Sequence, residues 1–253
     1  MACLVERDKE VSAVSLARRA REVTSRVLGL TVEIVLPKVC AGCGLAGTWM
    51  CAECAEHVIL IDQGQCCRRC GYPETGGSAL CRRCRWWSPE LELARAAVEF
   101  DGPAREAIHR LKYGGEYARA EWCAALMADM STDLPAVPDI VCAVPLTRRR
   151  RRMRGFNQSE VIGRSLAEQM NLEYVEALER IRETPPQVRL SAAERSANVE
   201  GAFRARMPLA GMTVLVVDDV LTTGATMRAC ARAATRAGAT QVVGLTFATE
   251  PWR

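Results

Sequence analysis

From residue 94 onward the chain alternates between segments with the hydrophobic spacing of strands and segments with that of helices. Apolar residues recur at every second position over 94–100, which predicts a strand with one buried face. Short apolar runs predict further strands over 140–144, 172–178, 214–217 and 242–248. Helices are predicted over 103–111, over about 158–170 and over 224–237. Strands that alternate with helices predict an α/β fold with a mostly parallel sheet covered on both faces.

The first 88 residues do not show this alternation. Residues 1–36 are rich in charged residues and alanine, and we expect a helical lead-in that Pro37 ends. Residues 37–88 hold most of the chain's 13 cysteines and little apolar periodicity. We therefore expect three parts: the lead-in over 1–36, a small cysteine-rich domain over 37–88, and the α/β domain over 89–253.

Composition narrows the function classes. The 253 residues are 49% hydrophobic and 25% charged, which excludes a disordered chain, a collagen and a coiled-coil rod. The net charge is only +4 and is spread along the chain, so contacts with a polyanion must come from local clusters. Aromatic residues make up 5%, which argues against a protein that stacks many bases. The N-terminus lacks a signal-peptide pattern and no apolar run approaches the roughly 20 residues of a membrane span, so we expect a cytoplasmic location.

Four Cys-x-x-Cys pairs give the cysteine-rich segment its chemistry. In a reducing compartment such pairs are metal ligands more often than disulfides, and two pairs complete a tetrahedral four-thiolate zinc site. The sequence therefore predicts two structural zinc ions, and reduced or redox-active thiols are the alternative. In the simplest, sequential assignment the first two pairs bind one ion and the last two pairs bind the other. Spacing alone also allows a crossed pairing, in which pairs that are not neighbours in sequence share an ion. Cys66 is a spare thiol, and the eight proposed ligands are Cys40, Cys43, Cys51, Cys54, Cys67, Cys70, Cys81 and Cys84.

The segment 214–226 combines an apolar strand, two acids and a run of small and hydroxyl residues that enters a helix. Backbone N–H groups at a helix start, with threonine hydroxyls, form a cradle for a phosphate. Asp218 and Asp219 cannot bind a phosphate directly, so they would serve sugar hydroxyls or a divalent cation. The cradle residues are Thr222, Thr223, Gly224, Ala225 and Thr226. The alternative is a buried strand followed by an ordinary capped helix.

This segment resembles the signature of type I phosphoribosyltransferases, which bind 5-phosphoribosyl-1-pyrophosphate. Together with the cysteine pairs and the segments 111–113, 144–146 and 154–158, it resembles the ComF family over about residues 28–253. That resemblance implies a double zinc ribbon followed by a phosphoribosyltransferase domain of the type I fold. Some members of the family are linked to natural competence and DNA uptake.

The resemblance also implies roles for single residues. Asp218 and Asp219 would hold the ribose hydroxyls as catalytic residues, residues 222–226 would bind the 5′-phosphate, and Mg²⁺ would accompany the pyrophosphate. The polar stretch 182–200 has the length of a lid over a reacting centre. Candidates for the pyrophosphate site or the lid are Lys112, Arg154, Asn157, Arg182, Gln187, Arg195 and Asn198.

The basic residues that follow the strand at 140–144 allow two interpretations. We expect Arg154 and Asn157 to shape the anionic site, because the family motif is local to them. Residues 148–151 either meet an anion or form a solvated basic loop, and we expect Arg149 and Arg150 to matter little. Lys112 either contacts a phosphate or caps the helix that ends at Gly114.

Three functions remain open. The first is a phosphoribosyltransferase that transfers ribose 5-phosphate to an unknown nitrogenous base. The second is a non-catalytic competence or DNA-uptake protein that binds single-stranded DNA, or works with the competence machinery. The third is a sensor of phosphoribosyl pyrophosphate. The proposed DNA-contacting residues are Arg68, Arg69, Arg82, Arg83, Arg85, Trp86 and Trp87.

Overall fold

The computed structural model describes residues 38–72, 80–81, 84–85, 87–183 and 198–250. In these ranges the helices of the α/β part lie on both sides of a parallel sheet, as the sequence predicts. The strands are β1 Leu93–Glu99, β2 Ile140–Ala143, β3 Glu173–Tyr174, β4 Leu178–Arg180, β5 Phe203–Ala205, β6 Thr213–Leu221 and β7 Gln241–Thr249. The helices are α1 Ala52–Ala55, α2 Gly102–Tyr113, α3 Arg119–Ala128, α4 Arg148–Arg154, α5 Gln158–Met170 and α6 Ala225–Arg236.

Five strands form the main sheet in the order β1-β7-β6-β2-β3, and every pair in it is parallel. Strands β4 and β5 form a separate antiparallel pair. β6 lies at the centre, where Val217 is opposite Leu245 of β7 and Ala143 of β2. The carboxyl end of β6 therefore opens in the middle of one sheet edge, where ligands of open α/β sheets bind.

Alternate residues of β6 enter two different hydrophobic cores. Val214 and Val216 pack on the face covered by α6, and Leu215 and Val217 pack on the face covered by α2, α3 and α5. All four are fully buried, as expected for a central parallel strand. Burial on both faces explains why this segment has a continuous apolar run.

The cysteine-rich segment covers the outer edge of β1. The amide of Ile61 donates to the Ala97 carbonyl, the amide of Glu99 to Ile59, and the amide of Ala94 to Arg69. A sheet edge left open would expose unpaired backbone groups, so these contacts complete the sheet.

Two buried arginines fasten the cysteine-rich segment to the α/β part. Arg119 of α3 is fully buried, and its guanidinium donates to the carbonyls of Trp49 at 2.6 Å and Val39 at 2.8 Å, while Glu116 balances its charge. Arg95 of β1 donates to the carbonyls of Cys67 and Arg68. A buried guanidinium is expensive to leave without partners, so the two parts are energetically coupled.

The structure corrects three sequence predictions. Residues 148–152 do not form a loop but belong to α4, which Thr147 caps at its start and Gly155 ends with a left-handed backbone. The predicted strand 172–178 divides into β3 and β4, because the chain turns at 175–177 and leaves the main sheet. α3 was not predicted, although its buried residues have helical spacing. The predicted lead-in over 1–36 lies outside the described residues.

The boundary near residue 89 remains a prediction. None of the helices within the described ranges has the length and apolar character needed to cross a membrane.

Candidate functional site

The cysteines form two separate clusters, in the sequential assignment. Cys40, Cys43, Cys51 and Cys54 make one cluster, and Cys67, Cys70, Cys81 and Cys84 make the other. Within each cluster the four sulfur atoms lie within 4.8 Å of one another. The sulfur–sulfur distances include 3.6 Å for Cys40 to Cys51 and 3.4 Å for Cys67 to Cys84. The crossed pairing is therefore excluded.

These distances fit a metal ion. Four sulfurs placed about 2.3 Å from a tetrahedral zinc are separated by about 3.8 Å, close to the spacing seen here. Backbone amides also point at the sulfurs, from Cys51 to Cys40 and from Cys81 to Cys67, both at 3.4 Å. Each cluster can thus hold one structural zinc ion. Cys66 is not a member, because its thiol is directed to the carbonyl of Gln63 at 3.2 Å.

A cleft of about 680 Å³ opens where β6 ends. It is bounded by the segment 144–147, by α4, by the end of α2 and by the start of α6. The predicted site residues that line it are Lys112, Arg154, Asp218, Asp219, Thr222, Gly224, Ala225 and Thr226. Residues more than 100 positions apart in sequence thus meet at one site.

The two acids of the cleft differ in their surroundings. Asp219 is 6% exposed; its Oδ1 accepts from the amide of Val220, and its Oδ2 forms an ion pair with Nζ of Lys112. Asp218 is half-buried, and its Oδ1 accepts from the hydroxyl of Ser159 at 2.7 Å and from the amide of Asp219 at 2.9 Å. Each carboxylate is therefore oriented by protein donors.

The pKa values of the two acids shift in opposite directions. Burial, followed by the negative charge of Asp219, raises the pKa of Asp218 to about 7. Burial also opposes ionisation of Asp219, but the adjacent Lys112 ammonium outweighs it and lowers the pKa of Asp219. Near neutral pH the pair thus carries between one and two negative charges.

The turn after the acids has the geometry of an anion cradle. Gly224 has φ of 71° in the left-handed region, which glycine adopts without strain, and α6 begins directly after it. The amide of Ala225 lies 3.4 Å from the Thr223 hydroxyl. The first amides of a twelve-residue helix have no partners inside the helix and carry its positive dipole end. The cradle thus faces the same cleft as the acids.

Cations surround this cleft. Lys112 reaches it from the end of α2, and its ammonium contacts Asp219, a partner that neither sequence interpretation named; contact of Lys112 with a phosphate stays a prediction. Arg154 donates to Oε1 of Gln158 at 2.8 Å and lies over the ring of Tyr113. Arg149 and Arg150, which we expected to matter little, line the cleft beside Arg154.

The structure does not bring every predicted residue into the cleft. Asn157 is 5% exposed and uses both polar atoms locally: its Oδ1 accepts from the amide of Ser159, and its Nδ2 donates to the Val144 carbonyl. It positions the start of α5. Arg182 donates to the carbonyls of Asn198 and Glu200, on the far side of α4 from the acids. Gln187 and Arg195 lie outside the described residues.

Sequence reasoning missed two residues of this site. Ser159 orients Asp218, and Arg180 of β4 extends into the cleft from the small antiparallel pair. Ser159 stands next to the segment 154–158, so its place in the first turn of α5 was a usable signal. No sequence signal marks Arg180, because only the fold of β4 over the sheet brings it near Asp218.

The proposed DNA surface is smaller than expected. Trp87 is 6% exposed, and Arg69 donates to the carbonyls of Ser88 and Leu91. Both side chains stabilise the fold and are not presented to a ligand. Arg68 and Arg85 are exposed, whereas Arg82, Arg83 and Trp86 lie outside the described residues.

Comparisons with known proteins agree with this architecture. The phosphoribosyl transferase domain model matches residues 156–251, and the double zinc ribbon domain model matches residues 31–85. The DNA utilization protein YhgH of Salmonella typhi is 33% identical over 220 residues, which cover 83% of this chain and 96% of that protein. The competence protein ComFC of Bacillus subtilis is 29% identical over 194 residues, covering 72% of this chain and 76% of that protein.

Solved structures are more distant. A Bacillus subtilis glutamine phosphoribosylpyrophosphate amidotransferase has a TM-score of 0.37 and 20% identity, and covers 54% of this chain and 30% of that chain. That similarity is too low to carry an argument. The YhgH relative, matched along almost all of its length, and the two domain models carry the assignment: the chain belongs to the ComF family of DNA utilization and competence proteins, with a double zinc ribbon followed by a phosphoribosyltransferase domain.

Proposed function

We propose that the cleft binds 5-phosphoribosyl-1-pyrophosphate together with Mg²⁺. The observation that carries this proposal is that two oriented acids and an anion cradle lie side by side at the end of β6. A phosphorylated sugar needs both features, because its hydroxyls donate to carboxylates while its phosphate accepts from backbone amides. Residues 222–226 would hold the 5′-phosphate, and Asp218 and Asp219 the ribose hydroxyls.

The cations would receive the pyrophosphate. Lys112, Arg149, Arg150 and Arg154 converge on the same cleft, and arginine pairs with phosphate oxygens through two parallel hydrogen bonds. Asp218 and Asp219 are carboxylates of the cleft that could hold Mg²⁺, and the ion would help to neutralise the charge of the leaving pyrophosphate. Because Lys112 is already paired with Asp219, an incoming phosphate would compete for its ammonium.

The reaction that such a site supports is phosphoribosyl transfer. The bond between C1 of the ribose and the pyrophosphate oxygen breaks, a bond from C1 to a nitrogen of the acceptor forms, and the nitrogen gives up its proton. The protein would contribute chiefly positioning and charge stabilisation. A sensor that binds the same ligand without turnover is the alternative, and release of pyrophosphate in the presence of candidate bases distinguishes the two.

The binding proposal is tested by calorimetric titration. We expect Mg²⁺-dependent binding to the wild type, and a loss of about 1–3 kcal/mol for each charged hydrogen bond removed by Asp218→Asn with Asp219→Asn. Ribose 5-phosphate should bind more weakly, because it lacks the pyrophosphate. Absence of Mg²⁺-dependent binding to the wild type, or unchanged binding to the double variant, would overturn the assignment.

The names of the relatives support a second candidate, which is contact with DNA. Of the ribbon residues proposed for this contact, Arg68 and Arg85 are the described ones whose side chains are exposed. Salt-dependent binding of single-stranded DNA that is lost in the Arg68→Ala, Arg85→Ala variant would support this function.

A further inference from the structure

The side chain of Trp87 connects the second cysteine cluster to the phosphate-binding turn. The backbone amide of Trp87 donates to the carbonyl of Cys84 at 2.9 Å, so the position of Trp87 depends directly on that zinc ligand. At the other end its ring lies against Gly224, where an added Cβ would stand 2.8 Å from Cη2 and closer still to Cζ2. Only a residue without a side chain allows this approach.

The same contact belongs to a continuous buried core. The four sulfurs of the second cluster, Trp87, and Ala225 and Met227 of α6 pack into one hydrophobic cluster. Arg228, one turn into α6, places its guanidinium 5.8 Å from the centre of the Trp87 ring. Trp87 is 6% exposed, so its ring is packed in the protein interior. The indole ring of Trp87 therefore supports the turn at Gly224 from the protein interior.

Hydrogen bonds prevent the second cluster from moving separately from the sheet. The guanidinium of Arg69 donates to the carbonyls of Ser88 and Leu91, just after Trp87. The guanidinium of Arg95 donates to the carbonyl of Cys67, the first cysteine of the second cluster. All four sulfurs of this cluster are buried, whereas Cys43 of the first cluster is exposed. A change at the second cluster thus has a short, packed path to the cleft.

We propose that Trp87 is a positioning residue for the phosphate-binding turn, and that through it the anion affinity of the cleft depends on metal loading of the second cysteine cluster. The claim about anion affinity rests on the function proposed above, and the claim that Trp87 positions the turn does not. Without a metal, four buried thiols lose the centre that holds Cys81 and Cys84 together, and Trp87 loses its anchor. The turn would then sample conformations in which its amides no longer converge.

The test compares full-length variants, purified without chelator, by two measurements. Hydrogen exchange of residues 222–226 without ligand reports the order of the turn, and calorimetric titration with ribose 5-phosphate reports anion affinity. Trp87→Ala should increase the exchange and weaken binding about tenfold, the loss of roughly one hydrogen bond between the turn and the phosphate. Trp87→Phe should give a smaller effect in the same direction. Cys81→Ser should lower the zinc content by about one ion and reproduce the effect of Trp87→Ala.

The matched control is Trp122→Phe. Trp122 packs against Phe247 on the opposite face of the sheet, so the same chemical change there should leave both measurements unchanged. If Trp87→Ala folds and Trp87 variants leave exchange and affinity at wild-type values, the proposal is wrong. If Trp87→Ala does not fold, Trp87→Phe decides. If the turn loosens but the wild type binds neither ribose 5-phosphate nor 5-phosphoribosyl-1-pyrophosphate with Mg²⁺, the positioning role stands and the proposed function fails.

Discussion

Asp218 and Asp219 are adjacent in sequence, yet protein contacts give their carboxyl groups different charge states. Lys112 keeps Asp219 ionised, whereas Asp218 accepts hydrogen bonds from a hydroxyl and an amide and has a pKa of about 7. Groups whose environments separate their pKa values in this way are characteristic of functional sites. Of the two acids, Asp218 is therefore the one whose protonation changes near neutral pH.

The raised pKa of Asp218 predicts a pH-dependent cost to folding. Its pKa rises from 3.8 to about 7 on folding, so between those values the native state keeps a proton that the unfolded chain has lost. The free energy of unfolding contributed by this group therefore falls as the pH rises from about 4 to about 7. Asp218→Asn should gain about 1–2 kcal/mol relative to the wild type between pH 4.5 and 8, less than the full shift because the carboxyl is only half-buried.

Urea unfolding of both proteins across this pH range measures the effect. Ser159→Ala is a useful second variant. The hydroxyl that it removes favours the ionised carboxylate, so its loss should raise the pKa of Asp218 and move the fall in stability to higher pH. Curves for the wild type and Asp218→Asn that stay parallel from pH 4.5 to 8 would contradict the assignment of this titration to Asp218.

At the scale of elements, α4 divides two pockets. Arg149, Arg150 and Arg154 line the cleft with the acids, while Arg148 and Arg151 line the pocket on its other side, where Arg151 pairs with Glu160. A loop would not fix this division, but a helix places successive side chains about 100° apart. Its arginines therefore do not act as one undifferentiated charge.

We predict that alanine substitutions along α4 separate these two sides. Arg149→Ala, Arg150→Ala and Arg154→Ala should each weaken binding of 5-phosphoribosyl-1-pyrophosphate by about five- to thirtyfold, because each removes a charged donor from the cleft. Arg151→Ala is the matched control on the same helix and should change affinity little. Alanine preserves the helix, so the comparison isolates the charges. Equal losses in all four variants would show that only the total charge matters.

The elements that sequence reasoning recovered are those with strong periodicity or a local motif. The apolar run of β6 and the apolar stripe of α5 show directly which residues are buried. The spacing of the four Cys-x-x-Cys pairs shows directly which cysteines bind metal. α4 has no apolar stripe, so its six arginines suggested a solvated loop, although Thr147 and Gly155 carry ordinary start and stop signals. The Lys112–Asp219 ion pair and the contact between Trp87 and Gly224 depend on tertiary packing, and no local pattern encodes them.

At the scale of the whole molecule, the zinc ribbons are part of the same fold as the sheet. The first cluster packs through Cys40, Ala41 and Met50 against Ala107 of α2, and Arg119 binds the backbone just before Cys40 and just before Met50. The second cluster shares a core with α6. Metal binding and folding of the α/β part are therefore linked.

This linkage predicts the outcome of losing one ion. Protein purified without chelator should contain two zinc ions per chain, and Cys51→Ser should reduce this to about one, with the α/β part still folded. The unfolding temperature should nevertheless fall, because an opened first cluster removes the acceptors of the buried Arg119 guanidinium. Elemental analysis and calorimetric melting measure both quantities. Protein that contains no zinc would refute the metal assignment.

The hydrogen bonds between the cysteine-rich segment and β1 have a consequence for the protein's solubility. Residues 59, 61 and 69 form hydrogen bonds with backbone groups on the outer side of β1. This strand is seven residues long and almost wholly buried. If chelation released that segment, β1 would become a free template on which a second chain could add a strand. Metal depletion would then cause self-association as well as loss of stability, and zinc supply would decide how much of the protein associates through this edge.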